Sequence, residues 1–581
     1  MSHRNLVIHP LVLRRAQVGR VADLNPRTRR VTLVGEQLGA FERDGISLPA
    51  FVSEAFDDHV KLIFAADGDL ASVLPIQLED GIEWPRATTR LARDYTPTRF
   101  DPVARELDLE FVLHGDGPAS TWAAGAKPGD DLWFAGPKSS TVVPPDTDWV
   151  LLAGDETALP AIERYLNDRP LDAPVRIVAA VPDAAARREL PTAPGDTVTW
   201  TEAAPGDPDA LAAAVRAIEV PPGRPYAWAA AESRSLLPLR RYLARELEVP
   251  KSHTSITGYW HRQDAETAES SLDHLPAPTT WFAVRAALRL GLVESLAAGP
   301  VPLPALAAQL GIDARRLSVL LDALKTAAVV APGTGPVALG PAGEELLADE
   351  HARERFTGVD ADRILALAEL AEALELDEPA WSRVNGRTMR QSLERDGHRY
   401  EELVEDADGL AHLVTGLPRL PVWGRETRVA VTGPGSLVLA DLLRERLAAD
   451  TSIVESAGPL AVLKELSEGS EHRFTVRWDR IEVAVTALAL GHRTDAEAVA
   501  LLGEMRRAAE RAVLVEALQP DALSPGAADE ALLQLAATGS TPRSPSDMAL
   551  LAAEAGWSID DRRPLGWGVE YFALVPDSTP R

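Results

Sequence analysis

Three short clusters in the first half of the chain combine residue types that suit a phosphorylated, aromatic ligand. The first is Arg93-Asp-Tyr-Thr96, in which Arg93 and Tyr95 are two positions apart and therefore face the same side of a strand. A guanidinium suits a pyrophosphate, a phenol ring packs against a flat heterocycle, and Thr96 adds a hydroxyl and a backbone amide. Taken alone, the same pattern also suits an ordinary barrel strand.

The other two clusters combine small residues with the ends of predicted strands. Residues 114–120 read His-Gly-Asp-Gly-Pro-Ala-Ser and lead from a strand into a helix, where backbone N–H groups can approach a phosphate closely. A plain strand-to-helix turn capped by Ser120 is the alternative. Residues 153–161 follow the first strand of a predicted α/β region, which is where a parallel sheet presents its ligands.

The elements that position these clusters change character along the chain. From Val18 to about Val143, short alternating apolar segments predict an antiparallel barrel. From Trp149, alternating strands and helices predict a parallel α/β sheet. We predict six segments: a barrel over 1–146, an α/β domain over 147–263, a linker over 264–278, a winged-helix segment over 279–345, a helical segment over 346–425 and a Rossmann-like α/β domain over 426–581.

Composition excludes several functions. The 581 residues include 59 Lys and Arg against 87 Asp and Glu, a net charge of −28, which disfavours binding to nucleic acid and to anionic membranes. The chain has no cysteine, which excludes disulfides, Cys-ligated zinc and Cys-ligated iron–sulfur clusters. Redox chemistry would therefore need a borrowed cofactor. We find no export signal and no apolar run of membrane-spanning length, so we expect a cytoplasmic protein.

Positions 17–263 resemble the siderophore-interacting protein family, whose members are flavin-dependent ferric-siderophore reductases. Seven motifs carry the resemblance in chain order: Asp58-His-Val-Lys-Leu62, Arg93-x-Tyr-Thr96, His114-Gly…Gly117-Pro-Ala-Ser120…Trp122-Ala, Gly136-Pro137, Gly154-Asp-Glu-Thr-Ala-Leu-Pro160, Trp228-Ala-Ala-Ala-Glu232 and Gly258-Tyr-Trp260. The fold that this resemblance implies is ferredoxin-reductase-like, an antiparallel FAD-binding barrel followed by an NAD(P)H-binding α/β domain.

The resemblance also implies a reaction and a site. FAD would lie between the two domains and support reduction of Fe(III), which frees iron from its chelator. By this match Arg93, Tyr95 and Thr96 hold the isoalloxazine and phosphates, residues Gly117 to Ser120 receive the pyrophosphate, and Asp155, Thr157 and Ala158 contact the remaining nucleotide and flavin edge. The full set of implied cofactor contacts in this half is Arg93, Tyr95, Thr96, His114, Gly117, Pro118, Ala119, Ser120, Asp155, Thr157, Ala158, Glu232 and Trp260.

A ferric siderophore is commonly anionic, so an acidic protein needs a local basic surface to bind it. We predict that Lys61, Lys138 and Arg262, which lie inside or beside the family motifs, form this basic basin; the alternative is that they are ordinary solvated charges. No resident metal is expected. The chain departs from the family pattern at Gly136-Pro-Lys-Ser139, at Trp228-Ala-Ala-Ala-Glu232 and at Gly258-Tyr-Trp-His-Arg-Gln263, which leaves NADH, NADPH or another electron donor open.

Positions 279–581 resemble the caffeic-acid-type O-methyltransferases, which join a winged-helix dimerisation part to a Rossmann-like domain. In the cofactor loop at 428–437 only Gly433 and Gly435 remain, and a glycine-poor loop obstructs close backbone approach to a ligand. Glu455 could still bind a ribose, and His492 takes the place of the general base. The alternative for His492 is a partly exposed loop histidine without a catalytic role.

We therefore predict a ferric-siderophore reductase fused to an inactive methyltransferase-like region that forms a homodimer and does not bind S-adenosylmethionine. Two other functions stay open at this point. One is a bifunctional flavoprotein that also methylates a hydroxyl of a siderophore or related metabolite. The other is a flavin- or siderophore-binding scaffold without turnover.

Overall fold

The structure is a computed structural model that describes residues 6–87, 89–113, 117–260, 278–424, 428–467, 472–520, 522–523 and 527–577. The chain forms two compact units, each of which joins segments of different sequence character. One unit contains Met1–Val142 together with Arg363–Arg581, and the other contains Val143–Asp362. The predicted linker over 264–278 lies outside the described residues except for Pro278.

The first part of the first unit is an antiparallel barrel sheet with the strand order β10-β11-β3-β2-β12-β6-β9. Its two edge strands, β9 and β10, are separated in sequence only by Thr96, so the chain itself brings the sheet edges together. The elements are β1 Leu6–Ile8, β2 Leu13–Asn25, β3 Thr28–Val34, β4 Phe41–Arg43, β5 Ile46–Leu48, β6 Val60–Ala65, α1 Leu70–Val73, β7 Ile76–Gln77, β8 Ile82–Glu83, β9 Arg90–Tyr95, β10 Pro97–Asp101, β11 Glu106–Val112, α2 Pro118–Gly125, β12 Asp131–Ala135 and β13 Ser139–Thr141.

Alternation along β11 explains the barrel. Leu107, Leu109 and Phe111 are fully buried in the apolar core, whereas the intervening acidic residues point to the other face. There Asp108 pairs with Arg99 at 2.8 Å. The carboxylates on this face are therefore neutralised by arginines of adjacent strands, which permits their burial.

The second unit begins with an all-parallel five-stranded sheet of order β16-β15-β14-β17-β18. Helices cover the buried, apolar strands, as parallel sheets require. The elements are β14 Trp149–Asp155, α3 Leu159–Asp168, β15 Val175–Val181, β16 Thr197–Glu202, α4 Ala210–Ala217, β17 Pro225–Glu232, α5 Leu237–Arg245 and β18 Thr254–Trp260.

The remainder of the second unit is helical and has its own apolar core. Helix α9 begins at a cap in which the Asp313 side chain accepts hydrogen bonds from the backbone N–H groups of Arg315 and Arg316. The stretch from Val329 to Leu339 contributes two isolated antiparallel bridges, Val301–Val337 and Val330–Leu339. The helices are α6 Thr279–Arg289, α7 Leu292–Ser295, α8 Leu303–Leu310, α9 Ala314–Thr326, α10 Pro341–Ala348 and α11 Glu350–Thr357.

The last part of the chain ends in a seven-stranded Rossmann-like sheet of order β21-β20-β19-β22-β23-β25-β24, in which β25 is antiparallel to both of its neighbours. Helices α12 Val359–Ala366, α13 Leu370–Leu376, α14 Ala380–Asn385, α15 Met389–Leu393 and α16 Gly397–Ala407 precede it. The sheet region comprises β19 Arg428–Thr432, α17 Ser436–Leu447, β20 Asp450–Val454, α18 Ala457–Leu466, β21 Arg473–Thr475, β22 Ile481–Ala487, α19 Asp495–Ala508, β23 Ala509–Ala517, α20 Ala527–Thr538, α21 Pro545–Glu554, β24 Trp557–Gly566 and β25 Val569–Pro576.

These sheets confirm the predicted fold class, which is a barrel, a parallel α/β domain and a Rossmann-like domain in one chain. Within the described residues no helix is both long and apolar enough to cross a membrane.

Candidate functional site

The barrel presents Arg93, Tyr95 and Thr96 where the two edge strands meet. The Tyr95 ring packs on Phe111, with ring centroids 4.4 Å apart. Burial raises the pKa of Tyr95 to about 12, and the nearby Arg93 charge opposes that rise, so the two predicted ligand residues do lie close together. The Arg93 side chain is exposed and donates to the Ala92 carbonyl at 2.7 Å. This places a cation beside an aromatic ring that stays neutral at physiological pH.

Helix α2 follows β11 in the chain, and its first turn contains residues predicted to receive the pyrophosphate. Gly117 is its N-cap without a side-chain cap hydrogen bond, and Pro118 occupies the first turn. A Cβ built on Gly117 would meet no described protein atom within 4 Å, so the described residues leave open space at this N-cap. Ala119 and Ser120 are buried in the same turn. His114 lies outside the described residues.

In the second unit, the carboxylate of Asp155 connects the ends of three parallel strands. It accepts hydrogen bonds from the Thr157 N–H at 2.9 Å, from the Glu232 N–H at 3.0 Å and from the Trp260 indole N–H at 2.8 Å. Burial raises the pKa of Asp155, and these donors oppose the rise. The predicted residues of this domain are therefore brought together at the carboxyl ends of β14, β17 and β18, where a parallel sheet binds ligands.

Close packing beneath this edge depends on Gly154. A Cβ at Gly154 would lie 2.3 Å from the Ala158 Cβ and 2.3 Å from the Ala230 carbonyl oxygen. Ala158 is itself fully buried, so it supports the turn. Glu232 is buried and caps the next turn by accepting from the Arg234 N–H at 2.7 Å.

The structure describes two of the three residues predicted for the basic basin. Desolvation lowers the pKa of His59, the charge of Asp94 opposes this, and the charges of Lys138 and Lys61 lower it further, so both lysines and Asp94 lie near this histidine. Lys61 pairs with Asp94 at 2.8 Å. The Lys138 ammonium lies 5.7 Å from the centroid of the Trp567 ring. Arg262 lies outside the described residues.

The barrel and the parallel α/β domain are those of a two-domain flavin reductase, and comparison with known proteins identifies the family. Residues 17–141 match the model of the siderophore-interacting FAD-binding domain, and residues 147–263 match that of the siderophore-interacting protein. The NADPH-dependent ferric-chelate reductase of Escherichia coli K12 is 33% identical over 258 residues, which cover 44% of this chain and 95% of that protein. The chain belongs to the siderophore-interacting protein family.

Two solved structures illustrate what each half of the chain is similar to. A siderophore utilization protein from T. fusca is 37% identical, and the match covers 46% of this chain and 98% of that protein with a TM-score of 0.40. The C-terminal half resembles the O-methyltransferase NcsB1 from neocarzinostatin biosynthesis, which is 21% identical, with 53% of this chain and 100% of that chain covered and a TM-score of 0.41.

The loop of the C-terminal half that would hold S-adenosylmethionine is occupied by the protein's own groups. Glu455, which is 4% exposed, accepts hydrogen bonds from the Gly433 N–H and the Thr432 hydroxyl, both at 3.0 Å. A Cβ at Gly435 would lie 2.5 Å from the Leu410 side chain. The backbone N–H and the carboxylate that a methyltransferase would offer to the cofactor therefore bind each other, so these residues do not fit the cofactor.

Two further side chains complete the enclosure of Glu455. The Tyr400 hydroxyl donates to this carboxylate at 3.4 Å, and Arg390 lies 3.5 Å from it. Burial, followed by the negative charge of Glu455, raises the pKa of Tyr400 well above its ordinary value. The sequence analysis missed both residues because they come from α15 and α16, outside the Rossmann motifs, and no local pattern marks them.

His492 is buried, with 5% of its surface exposed, so the partial exposure expected in the alternative is wrong, whereas its lack of a catalytic role stays a prediction. Burial lowers its pKa well below the ordinary value, and the charges of Arg493, Arg390 and Arg543 lower it further. Arg493 Nη1 lies 2.9 Å from His492 Nε2. A general base needs a pKa near the working pH, so this environment does not favour the base role.

Proposed function

We propose that the chain is an FAD-dependent ferric-siderophore reductase that takes electrons from NAD(P)H. The observation that carries this proposal is the 33% identity to a ferric-chelate reductase, because the match covers 95% of that protein. The open space at Gly117 and the strand ends joined by Asp155 are compatible with it, because both features lie in the two domains that match the family.

We assign the cofactor-binding roles by residue. Arg93 supplies positive charge to the phosphates, the Tyr95 ring offers a face for the isoalloxazine, and the first turn of α2 offers backbone N–H groups to the pyrophosphate. Asp155 orients Trp260 and the backbone at Glu232 on the nucleotide-binding edge. The neutral phenol of Tyr95 and the buried carboxylate of Asp155 support these assignments, because each is held in place by packing or hydrogen bonds.

The proposed reaction has a defined electron balance. Each NAD(P)H gives up two electrons, and each ferric ion accepts one, so two ferric chelates are reduced per NAD(P)H. A bound flavin supplies the conversion between two-electron and one-electron transfer. The contribution of the protein is to bind both substrates, and the Fe(II) product leaves because oxygen-donor chelators hold Fe(II) less tightly than Fe(III).

We propose that Lys61 and Lys138, with Arg262, attract the anionic ferric chelate to this acidic protein. The shared influence of the two lysines on His59 supports a common location. Lys61 also pairs with Asp94, and a surface ion pair of this kind contributes only about 0 to 1 kcal/mol, so the ammonium can turn toward an anionic ligand at little cost.

For the C-terminal half we propose a role without methyl transfer, as a winged-helix and Rossmann-like region through which the protein forms a homodimer in the cytoplasm. The internal hydrogen bonding of Glu455 to Gly433 supports the absence of methyl transfer. A dissociable dimer would be detected by light scattering of the full chain over a range of concentrations.

The decisive experiment is an anaerobic reaction of the purified full chain. The protein should carry a flavin absorbance spectrum, NADPH or NADH should bleach it, and a ferric siderophore should then restore it with formation of Fe(II) captured by ferrozine. Well-folded protein that stays colourless after incubation with FAD would overturn the proposal. Bleaching without transfer to any ferric chelate would exclude the ferric substrate but leave a flavoprotein.

A further inference from the structure

The turn between β24 and β25 is unusual because three successive residues have positive φ. The angles are +109° at Gly566, +50° at Trp567 and +73° at Gly568. The left-handed region is easily reached by glycine but is strained for a bulky residue such as tryptophan. Such a conformation persists only where the surrounding structure holds it.

Both flanking glycines are required by close approach of other backbone segments. A Cβ at Gly566 would lie 2.5 Å from the carbonyl oxygen of Ile82, in β8 of the β7–β8 hairpin in the N-terminal part of the same unit. A Cβ at Gly568 would lie 2.3 Å from the Gln519 carbonyl oxygen. The Gly568 N–H also donates to the Glu83 carboxylate at 3.2 Å. The turn is thus built against the barrel, although it belongs to the C-terminal region.

This turn carries Trp567 to a cluster of barrel side chains. Trp567 packs against buried apolar residues that include Leu11, Ile63 and Trp84. Its ring centroid lies 5.7 Å from the Lys138 ammonium, within the range of a cation–π interaction. On another side the His412 ring lies 4.3 Å away at a steep angle. Lys138 therefore has an aromatic neighbour from the C-terminal half of the chain.

We propose that Trp567 is a positioning residue for Lys138, and that through it the C-terminal region takes part in recognising the anionic ferric chelate. This inference rests on the proposed function, because it assumes that Lys138 meets the chelate. It gives the methyltransferase-like region a role in reduction that does not require S-adenosylmethionine.

The physical reason lies in the lysine side chain. A lysine side chain has four rotatable bonds and loses conformational entropy when it is held in one position. An aromatic face that already restricts the ammonium reduces the conformational entropy that the lysine side chain still has to lose when a ligand binds. The expected consequence is weaker binding of anionic ligands when the ring is removed, with little change in the later electron transfer.

A purely structural role predicts something different. If Trp567 only fills the apolar cluster, its replacement would destabilise the contact between the barrel and the C-terminal region and would affect all substrates alike. The two roles are separated by comparing an anionic ferric tris(catecholate) with an electrically neutral ferric tris(hydroxamate), because only the former depends on the charge of Lys138.

The test uses the flavin-loaded full chain and the variants Trp567→Phe and Trp567→Leu. For the tris(catecholate) we expect KM to rise about threefold to tenfold in Trp567→Leu, with a smaller rise in Trp567→Phe, which keeps an aromatic ring. We expect kcat, the rate of flavin bleaching by NADPH and KM for the neutral tris(hydroxamate) to remain within about twofold of wild type. Trp478→Leu, a partly buried tryptophan elsewhere in the same region, is the matched control.

A second measurement connects the two residues directly. If Trp567 acts through Lys138, then Trp567→Leu should add little to the KM of Lys138→Gln, whereas independent residues would multiply their effects. Equal KM changes for both chelates, or no change for either, would overturn the inference while the wild-type protein still reduces iron. Failure of the wild type to reduce any ferric chelate would instead refute the proposed function. If Trp567→Leu does not fold, Trp567→Phe and Lys138→Gln decide the question by the same comparison of chelates.

Discussion

The carboxylate of Glu455 accepts a hydrogen bond from the backbone N–H of Gly433 at 3.0 Å. The resemblance to methyltransferases implies that Glu455 would bind the ribose of the cofactor and that the loop at 428–437 would lie against the cofactor. Here the two groups bind each other instead, and Leu410 fills the space beside Gly435. The carboxylate and the loop of this methyltransferase-like half thus contribute to the stability of the half itself.

From this contact we expect that S-adenosylmethionine does not bind. Titration calorimetry of the full chain should give no heat that saturates below millimolar ligand, and the thermal midpoint should not rise when the ligand is added. Micromolar binding would show that the loop at 428–437 opens, and it would support the alternative of a bifunctional flavoprotein that also transfers a methyl group.

Replacement of Glu455 should destabilise the C-terminal sheet. Glu455→Gln leaves the partly buried Arg390 without its buried partner, and breaking such a pair typically costs about 3 kcal/mol. The control is Glu394→Gln, which removes the more exposed partner of the same arginine and should cost less than about 1 kcal/mol. Urea unfolding followed by far-UV circular dichroism measures both values, and equal losses would contradict this account.

The basic basin predicts a selective kinetic change. Replacement of Lys61, Lys138 and Arg262 together by Ala should raise KM for an anionic ferric chelate about tenfold or more while the flavin content stays unchanged, because the substitutions remove three charges that attract the substrate. The rise should shrink as salt is added, since screening weakens the same attraction in the wild type. Steady-state reduction at two ionic strengths is the measurement; unaltered KM would refute the basin.

His412 should make the stability of the protein depend on pH. Burial lowers its pKa from 6.5 to about 3, and the Lys138 charge adds to this effect, so the unfolded chain binds a proton that the folded chain does not. The contribution of neutral His412 to the free energy of unfolding is therefore fully present above pH 6.5 and is lost as the pH falls toward 3. Between pH 6.5 and 5, wild type should lose about 2 kcal/mol relative to His412→Phe.

Denaturant unfolding of both proteins at several pH values tests this expectation. The matched control is His398→Phe, a substitution of the same type at an exposed histidine. A constant difference between wild type and His412→Phe across this pH range would show that the folded state accommodates the protonated ring.

The close approach at Gly566 predicts a specific sensitivity to a single methyl group. Gly566→Ala combines a positive φ with a Cβ only 2.5 Å from the Ile82 carbonyl oxygen, so we expect a loss of at least about 2 kcal/mol in unfolding free energy. Gly491→Ala is the matched control, because a Cβ there meets no described atom within 4 Å, and its effect should stay within about 0.5 kcal/mol. Chemical denaturation compares the two, and similar values would contradict the close approach.

The sequence alone predicted much of the architecture because its signals are local. Alternating apolar residues such as Leu107, Leu109 and Phe111 identify a barrel strand, and small residues after β14 mark the ligand edge of the parallel sheet. The motif Arg93-x-Tyr-Thr96 likewise lies within one stretch of chain, so its residues stay close in any fold that contains that strand.

Only the tertiary structure decided the environment of those residues, because partners distant in sequence set it. No periodicity connects Trp567 with Lys138 or Tyr400 with Glu455, and no motif shows that His492 is enclosed by three arginines. Such contacts arise when separate elements pack together. How they pack depends on the fit of their whole surfaces, which no local sequence pattern describes. The sequence therefore predicts which residues bind a flavin, because those residues form local motifs. Only the packing of the barrel against the C-terminal region determines that Lys138 has an aromatic neighbour.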